Sequence, residues 1–498
     1  MKKLALGFVA LIACGDNDNT NVTPDSSNPE PDTQTPDTPN PDFTVPTPFS
    51  IPLSVAGPDQ LQSAASAGDG KFYAAGFAAA TTTSKRFVTV VKYLPTGLPD
   101  ATFGANGVVT TPLEFVGGTD EVDLVVQADG QLLVSGTTAS PTITLDRDVG
   151  IVRLNTNGTL DTTFGTLGVA IISLNTAIIN GTTVTAPDAS RSLAVDATGG
   201  IYLHGVSRGI GTKATTADPR TDTDFTVVKL TAAGIVDATF GGQSITLGAA
   251  LTHSNDTAPG QFRLDIEETN ATPRTLKVLA DGKLMVSGYG SSAFSGATVQ
   301  PVLYKLTATG ELDTTWNEGV GVFHEQVLTV QTEVYSIAIH ADDTFTTAGY
   351  GRASGDINDY ISLRFNINHA AGAAARDLTF NNTTNGALVF DPSSAMLGSN
   401  CRNAVALPNG KTLLTGSTGP SNLPGQDAVA AFVDADGQLD IAYGTGVHVF
   451  KLGADGSDQF WGGTVSGTKA IVVGFKGGGA TQTETANDDS FAAIFDIQ

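Results

Sequence analysis

From about residue 60 onward, short stretches of alternating apolar and polar residues are separated by tight polar turns. Seven of them share one form, a turn followed by an apolar run that ends in glycine. They are GDGKFYAAG from Gly68, ADGQLLVSG from Ala128, TGGIYLHG from Thr198, ADGKLMVSG from Ala280, DDTFTTAG from Asp342, PNGKTLLTG from Pro408 and SGTKAIVVG from Ser466. Asp-Gly and Asn-Gly tolerate the positive φ of two-residue hairpins, so each run is predicted to open a β-hairpin.

A second marker, LNTNGTLDTTFG at Leu154 to Gly165, has relatives centred on Asp100, Asp161, Asp237, Asp313, Asp377 and Asp440. Each aspartate is followed three residues later by an aromatic: Phe103, Phe164, Phe240, Trp316, Phe380 and Tyr443. This marker ends a third strand and begins a fourth, as GVVTTPL from Gly107 or GVHVFKL from Gly446 shows. Seven copies of the first marker stand against six of the second. The last unit therefore lacks a strand, while PFSIPLSVAG from Pro48 stands alone before the first. Pairing these two closes a ring and removes exposed sheet edges. The predicted fold is all-β: one seven-bladed β-propeller over residues 48–498, clasped by its N-terminal strand.

The order of a turn, an apolar strand ending in glycine, and then Leu-Asp-x-x-Phe-Gly, best met by Ala128 to Gly168, resembles the delta-60 repeat β-propeller family. The resemblance covers nearly the whole repeat region. The stretch Asn366 to Phe380 departs from it, and the seventh copy has no Leu-Asp segment. It implies a fold and no shared reaction or ligand.

Before the repeats, MKKLALGFVALIAC has two lysines, ten uncharged residues and a cysteine, too short to span a bilayer. Leu11 to Cys14 resembles a bacterial lipobox. This predicts a signal peptide over residues 1–13, lipid on Cys14 and, since Gly15 rather than aspartate follows, an outer-membrane address facing either the periplasm or the outside. Residues 14–47, rich in Pro, Asp and Thr, with seven acids between Gly15 and Pro48 and no bases, read as a disordered tether. In extended form it would reach up to about 100 Å. With a net charge of −24 the protein would repel phosphate backbones, so nucleic acid is an unfavourable partner. Cys401, the other cysteine, reads as a packed small residue beside the alternative of a reactive thiol.

The basic residues Lys92, Arg153, Lys229, Lys305 and Arg364 recur in the third strand, within reach of the marker aspartates. One ion pair per blade is the expectation, with a ring of cations for an anion as the alternative. The recurring aromatics read as wedges between blades rather than a sugar platform. Asp434, Asp436 and Asp440 have calcium-loop spacing, but Thr307-Ala-Thr309-Gly310 keeps the same turn without the first two carboxylates, so a metal is a weak expectation. No other cofactor is expected. Asn409-Gly410-Lys411-Thr412 lacks the remaining features of a phosphate loop. Gly205 to Gly209 matches G-x-S-x-G, yet no helix follows Ser207. His204 replaces smaller residues in its siblings; a satisfied hydrogen bond and a place in the channel are both open.

Strand order places the repeated turns on one face, and on the other the insertions at Val206 to Thr223, Thr252 to Pro273 and Phe475 to Asp488. The candidate binding loops hold Ser207, Arg208, Lys213, Arg220, His253 and Asp256. The expected function is a lipid-anchored, non-enzymatic binding or scaffolding module for an envelope protein or polysaccharide. The rivals are a hydrolase or lyase at the channel, using His204 and Ser207, and a calcium-stabilised surface protein.

Overall fold

The computed structural model describes residues 42–497 except 51–52, 55–56, 117–120, 145, 175–176, 180–181, 185–187, 210–211, 214–217, 219, 248–258, 292–298, 394–397, 420–424, 453–456 and 478–488. Seven antiparallel blades surround one axis. Their innermost strands are Asp59–Gly68, Asp123–Val126, Ala189–Val195, Ala271–Val278, Gln331–Ile339, Ser399–Ala406 and Gln459–Ser466. Each blade runs outward from its inner strand, so the hairpin turns and Leu-Asp segments share a turn face and the other connections share an insertion face. The core lies between blades. Phe77, Val90 and Phe115 of blade one, for example, join Leu132, Val134 and Val152 of blade two in one buried cluster.

The second marker joins blade to blade. In blade two, the Asp161 carboxylate accepts from Thr163 N at 3.0 Å and Thr163 Oγ1 at 2.7 Å on one oxygen, and from Arg153 Nε at 2.8 Å and Gln131 Nε2 at 3.0 Å on the other. This fixes the turn that aims Phe164, fully buried, at blade three. There Gly234 provides its seat: a Cβ on that glycine would come within 2.7 Å of the Phe164 ring. Phe240 sits in the same way on Gly310, and Phe380 on Gly437. The glycines Gly234, Gly310 and Gly437 thus have two reasons to be glycine, a positive φ and an aromatic ring against the α-carbon.

The ring closes as expected, through Phe49–Ser50 pairing antiparallel with Asp489–Asp496. The N-terminal segment also replaces the missing seventh marker. Phe49 takes the seat on Gly97 of blade one, where a Cβ would lie 2.7 Å from its ring. Phe43 covers Tyr443 of blade six edge-on at 5.5 Å, with His448 at 5.3 Å. Ordered packing therefore begins ahead of Pro48. Asp59 fastens the clasp, accepting from Leu53 N, Ser54 N and Ser490 N at 2.7–3.0 Å.

Three local expectations change. Asp69 and Gly70 form a two-residue turn with both φ positive, but at Gln127 to Gln131 only Gly130 is positive, and its N–H reaches Gln127 O at 2.9 Å. That is the longer loop in which a type I turn is completed by a left-handed glycine. The insertion Thr252 to Pro273 is not all loop: Gln261–Ile266 is the fourth strand of blade three, Gln243–Leu247 adds a fifth in parallel, and Ala271–Val278 already belongs to blade four. The ion pairs form at Lys92–Asp100, Arg153–Asp161, Lys305–Asp313 and Arg364–Asp377, whereas Lys229 pairs with Asp196 at 3.9 Å. In blade six, where Phe432 replaces the base, Lys411 of the hairpin turn reaches Asp440 at 2.7 Å.

Two outcomes follow. Phe49→Ala should lower the unfolding free energy by about 3 kcal/mol, the low end for truncating a phenylalanine because its ring is half-buried. Leu98→Ala on the exposed neighbour should change it by less than about 0.5 kcal/mol in the same urea titration. Asp161 is held down at about 2, first by the Thr163 hydroxyl. Asp313 is also at about 2, its burial being overcome first by the Lys283 hydrogen bond. A depressed carboxylate stabilises the fold above its unfolded value near 3.8 and loses that contribution as pH falls toward 2. Melting temperature should therefore fall over that window, and Asp161→Asn should flatten the fall.

Candidate ligand site in the central channel

Inner and second strands pair with a shift of register near the start of the inner strand in six blades: Leu61/Ser63, Ser190/Ser192, Pro273/Leu276, Val334/Ser336, Cys401/Asn403 and Phe460/Gly462. A bulge leaves one residue unpaired and re-aims its side chain. On the second strand a glycine accommodates it. A Cβ at Gly76, Gly349, Gly416 or Gly474 would land on the carbonyl oxygen of Gln60, Glu333, Asn400 or Gln459, just ahead of the bulge. In these four blades the glycine ending the apolar run is thus the imprint of the bulge.

The bulge residues Gln62, Arg191, Tyr335, Arg402 and Trp461 line a cavity of about 250 Å³ in the channel, with Ser63, Asp123, Ser192, Thr275, Ser336 and Asn403 one step deeper. Because the bulges fall near the starts of the inner strands, this cavity lies toward the insertion face. Arg274, at the same place in blade four, is buried behind Tyr335, with its guanidinium 3.7 Å from the ring centroid. It pairs with Glu121 at 2.5 Å and donates to Tyr289 Oη at 3.1 Å. Tyr289, Tyr335 and Tyr350 are linked hydroxyl to hydroxyl at 3.2 and 3.0 Å. Burial pushes all three phenols far up, so they stay protonated at neutral pH.

Arg402 differs from the other channel arginines. Its guanidinium lies 4.5 Å from the Tyr335 centroid, 5.0 Å from Trp461 and 5.7 Å from Tyr350, among the described residues no carboxylate forms an ion pair with it, and its Nε is buried without a hydrogen-bond partner. The channel acids, by contrast, are engaged. Asp123 accepts from Ser63 Oγ, Leu124 N, Ser192 Oγ and Leu193 N at 2.7–3.2 Å, and Glu121 holds Arg274, with Arg191 4.0 Å away.

The residues singled out in the sequence fall elsewhere. Ser207 is buried in the second strand of blade three, bonded to Thr226 Oγ1 at 2.6 Å and Arg263 Nη1 at 2.8 Å. His204 is buried between blades three and four, where Nδ1 meets Arg274 O at 3.2 Å and Nε2 meets Tyr304 Oη at 3.3 Å, and burial pushes it down to about 3. The two make no joint site, because three positions along a strand place them on opposite faces.

Arg220 is a correction as well: instead of offering a free cation on a loop, it is buried among Asp222, Asp224 and Asp265. Those three carboxylates are the group among the described residues close enough to share an ion, and a guanidinium stands among them. Arg208 Nε donates to Arg220 O at 2.9 Å, and Lys213 N to Asp218 O at 2.7 Å, so both help fold the insertion. His253, Asp256 and Cys14 lie outside the described residues. Two of the three calcium-loop carboxylates are spent locally, Asp434 on Asp436 N and Gln438 N, and Asp440 on Ala442 N and Lys411, while Asp436 is exposed. Cys401 is buried, and burial pushes its thiol well up, as for a packed residue.

Fold and channel together define a seven-bladed β-propeller with a small-molecule-sized cavity on its axis. Residues 127–164 and 279–315 match the model of a β-propeller domain of unknown function, DUF5122. No curated protein matches the sequence. Among solved structures the chain is similar to the polysaccharide lyase Uly1, at 9% identity over 88% of this chain and 90% of that one, with a TM-score of 0.45. It is similar to the α-L-arabinanase of Penicillium chrysogenum at 12% identity, covering 77% and 94%, with a TM-score of 0.40. The β-propeller domain of the Trilobed protease from Pyrococcus furiosus gives 11% identity, 87% and 95% coverage and a TM-score of 0.40. Likeness at this level carries nothing about reaction or ligand.

Removing the cation from the buried cluster should be severe. Arg220→Met leaves Asp222, Asp224 and Asp265 facing one another and should cost on the order of 3–5 kcal/mol in urea unfolding at pH 8. Asp224 is already raised to about 7, first by burial. A raised acid destabilises the fold where it is charged, so the loss should shrink as pH is lowered from 8 to 5.

Proposed function

We propose that this protein is a lipid-anchored envelope propeller of the delta-60 repeat type that binds or scaffolds and performs no chemistry of its own. The observation that carries the reading is the docking of Phe43 and Phe49 on the turn face, against Tyr443 and Gly97. The described chain therefore begins at that face, which leaves the insertion face clear of the clasp. With Cys14 lipidated in the outer membrane, the acidic stretch serves as a long leash. The insertion face and the arginine-lined channel mouth are the surfaces offered to an envelope protein or polysaccharide.

The engaged state of Asp123 and Glu121 supports binding over catalysis, as does the burial of His204 and Ser207. Cys14→Ser should move the protein from the membrane to the soluble fraction of cells, and protease shaving of intact cells should then distinguish a surface from a periplasmic address. Wild-type protein found only in the soluble fraction overturns the anchored reading.

A further inference from the structure

The bulge ring gathers side chains with one chemistry in common. Arg402 is 7% exposed, borders the cavity and carries a planar cation that no carboxylate in the described structure neutralises. Such a fork matches the two oxygens of a carboxylate, and burial strengthens the match by excluding water. Beside it stands the half-buried Trp461, a surface suited to the C–H face of a ring, while Tyr335, buried between the Arg274 and Arg402 guanidinium groups, holds Arg402 in place. Ser63, Ser192, Thr275, Ser336 and Asn403 add short polar groups able to meet hydroxyls. The cavity, about 250 Å³, is just below the range of roughly 300–1,000 Å³ usual for small ligands, which suits one ring better than a chain. The protein's charge of −24 further disfavours a polyanion, whose remaining charges would be repelled at the rim.

We propose that the channel mouth binds a single uronate, a sugar ring bearing one carboxylate, with Arg402 clamping the carboxylate and Trp461 facing the ring. The site rests on the binding reading above, but it requires no lipid anchor. A free sugar acid and the terminal residue of a neutral saccharide present the same recognition chemistry.

The test is calorimetric titration of the full chain with glucuronate, galacturonate, a disaccharide ending in glucuronate, neutral glucose and galactose, and inorganic phosphate. A uronate should bind about tenfold or more tightly than its neutral sugar and than phosphate. Arg402→Ala should remove that preference, Arg402→Lys should weaken it by keeping charge without the fork, and Trp461→Ala should weaken uronate and neutral sugar together. Tighter binding of the disaccharide identifies a chain end as the source, and equal binding identifies the free acid. The proposal is overturned if no uronate binds up to about 10 mM. It is also overturned if neutral sugar or phosphate binds equally well, or if folded Arg402 variants keep the full preference. Should Arg402→Ala fail to fold, Arg402→Lys and Trp461→Ala decide. Because the titration uses protein in solution, its failure leaves the anchoring reading intact, and release from the membrane would not affect its success.

Discussion

One contact recurs around the ring: an aromatic side chain of one blade pressed onto a glycine in the turn of the next. Phe164 on Gly234, Phe240 on Gly310 and Phe380 on Gly437 repeat it around the axis. Each requires an aspartate to fix the turn that aims the ring and a glycine with positive φ to receive it. The contact is directional, from one blade to its successor, so a linear chain leaves an unfilled seat at one end and an uncovered ring at the other. Phe49 and Phe43, six residues apart before the first blade, supply both, and a short strand pairing with Asp489–Asp496 becomes a closed wheel.

The same economy of one glycine per blade shapes the hub. A bulge on the inner strand brings its carbonyl against the second strand, and only a residue without a Cβ fits there. In six blades the bulge frees one side chain to face the axis. The repeat specifies the position and leaves the residue type open, so blades can contribute Gln62, Val122, Arg191, Arg274, Tyr335, Arg402 and Trp461 without disturbing the scaffold. A rigid frame with freely chosen hub residues is a route by which one architecture serves different ligands.

Much of this was legible. The counts of two markers gave the number of blades and the closing strand, because hairpin chemistry and ring closure are imposed by local sequence. The hub residues were missed because they carry no motif, although a spacing marks them. Each stands fourteen residues before the second-strand glycine in six blades, from Gln62–Gly76 to Arg402–Gly416, and thirteen in the seventh, Trp461–Gly474. An arginine in an apolar inner strand at that spacing is the signal. The loop candidates misled for a physical reason: exposure cannot be read from charge alone, and Arg220 is buried because three aspartates surround it.

Sequence alone therefore determined what depends on neighbours along the chain: hairpins, marker turns, blade number and the need for an N-terminal clasp. Tertiary structure decided what depends on neighbours across blades. It turned Gln261–Ile266 into a strand, gave Asp440 its cation from Lys411, buried Ser207 and His204, and brought Arg402, Tyr335 and Trp461 from three blades to one cavity. Those meetings are set by the geometry of a closed ring, in which residues some sixty positions apart become neighbours, and no local pattern encodes which side chains will face one another.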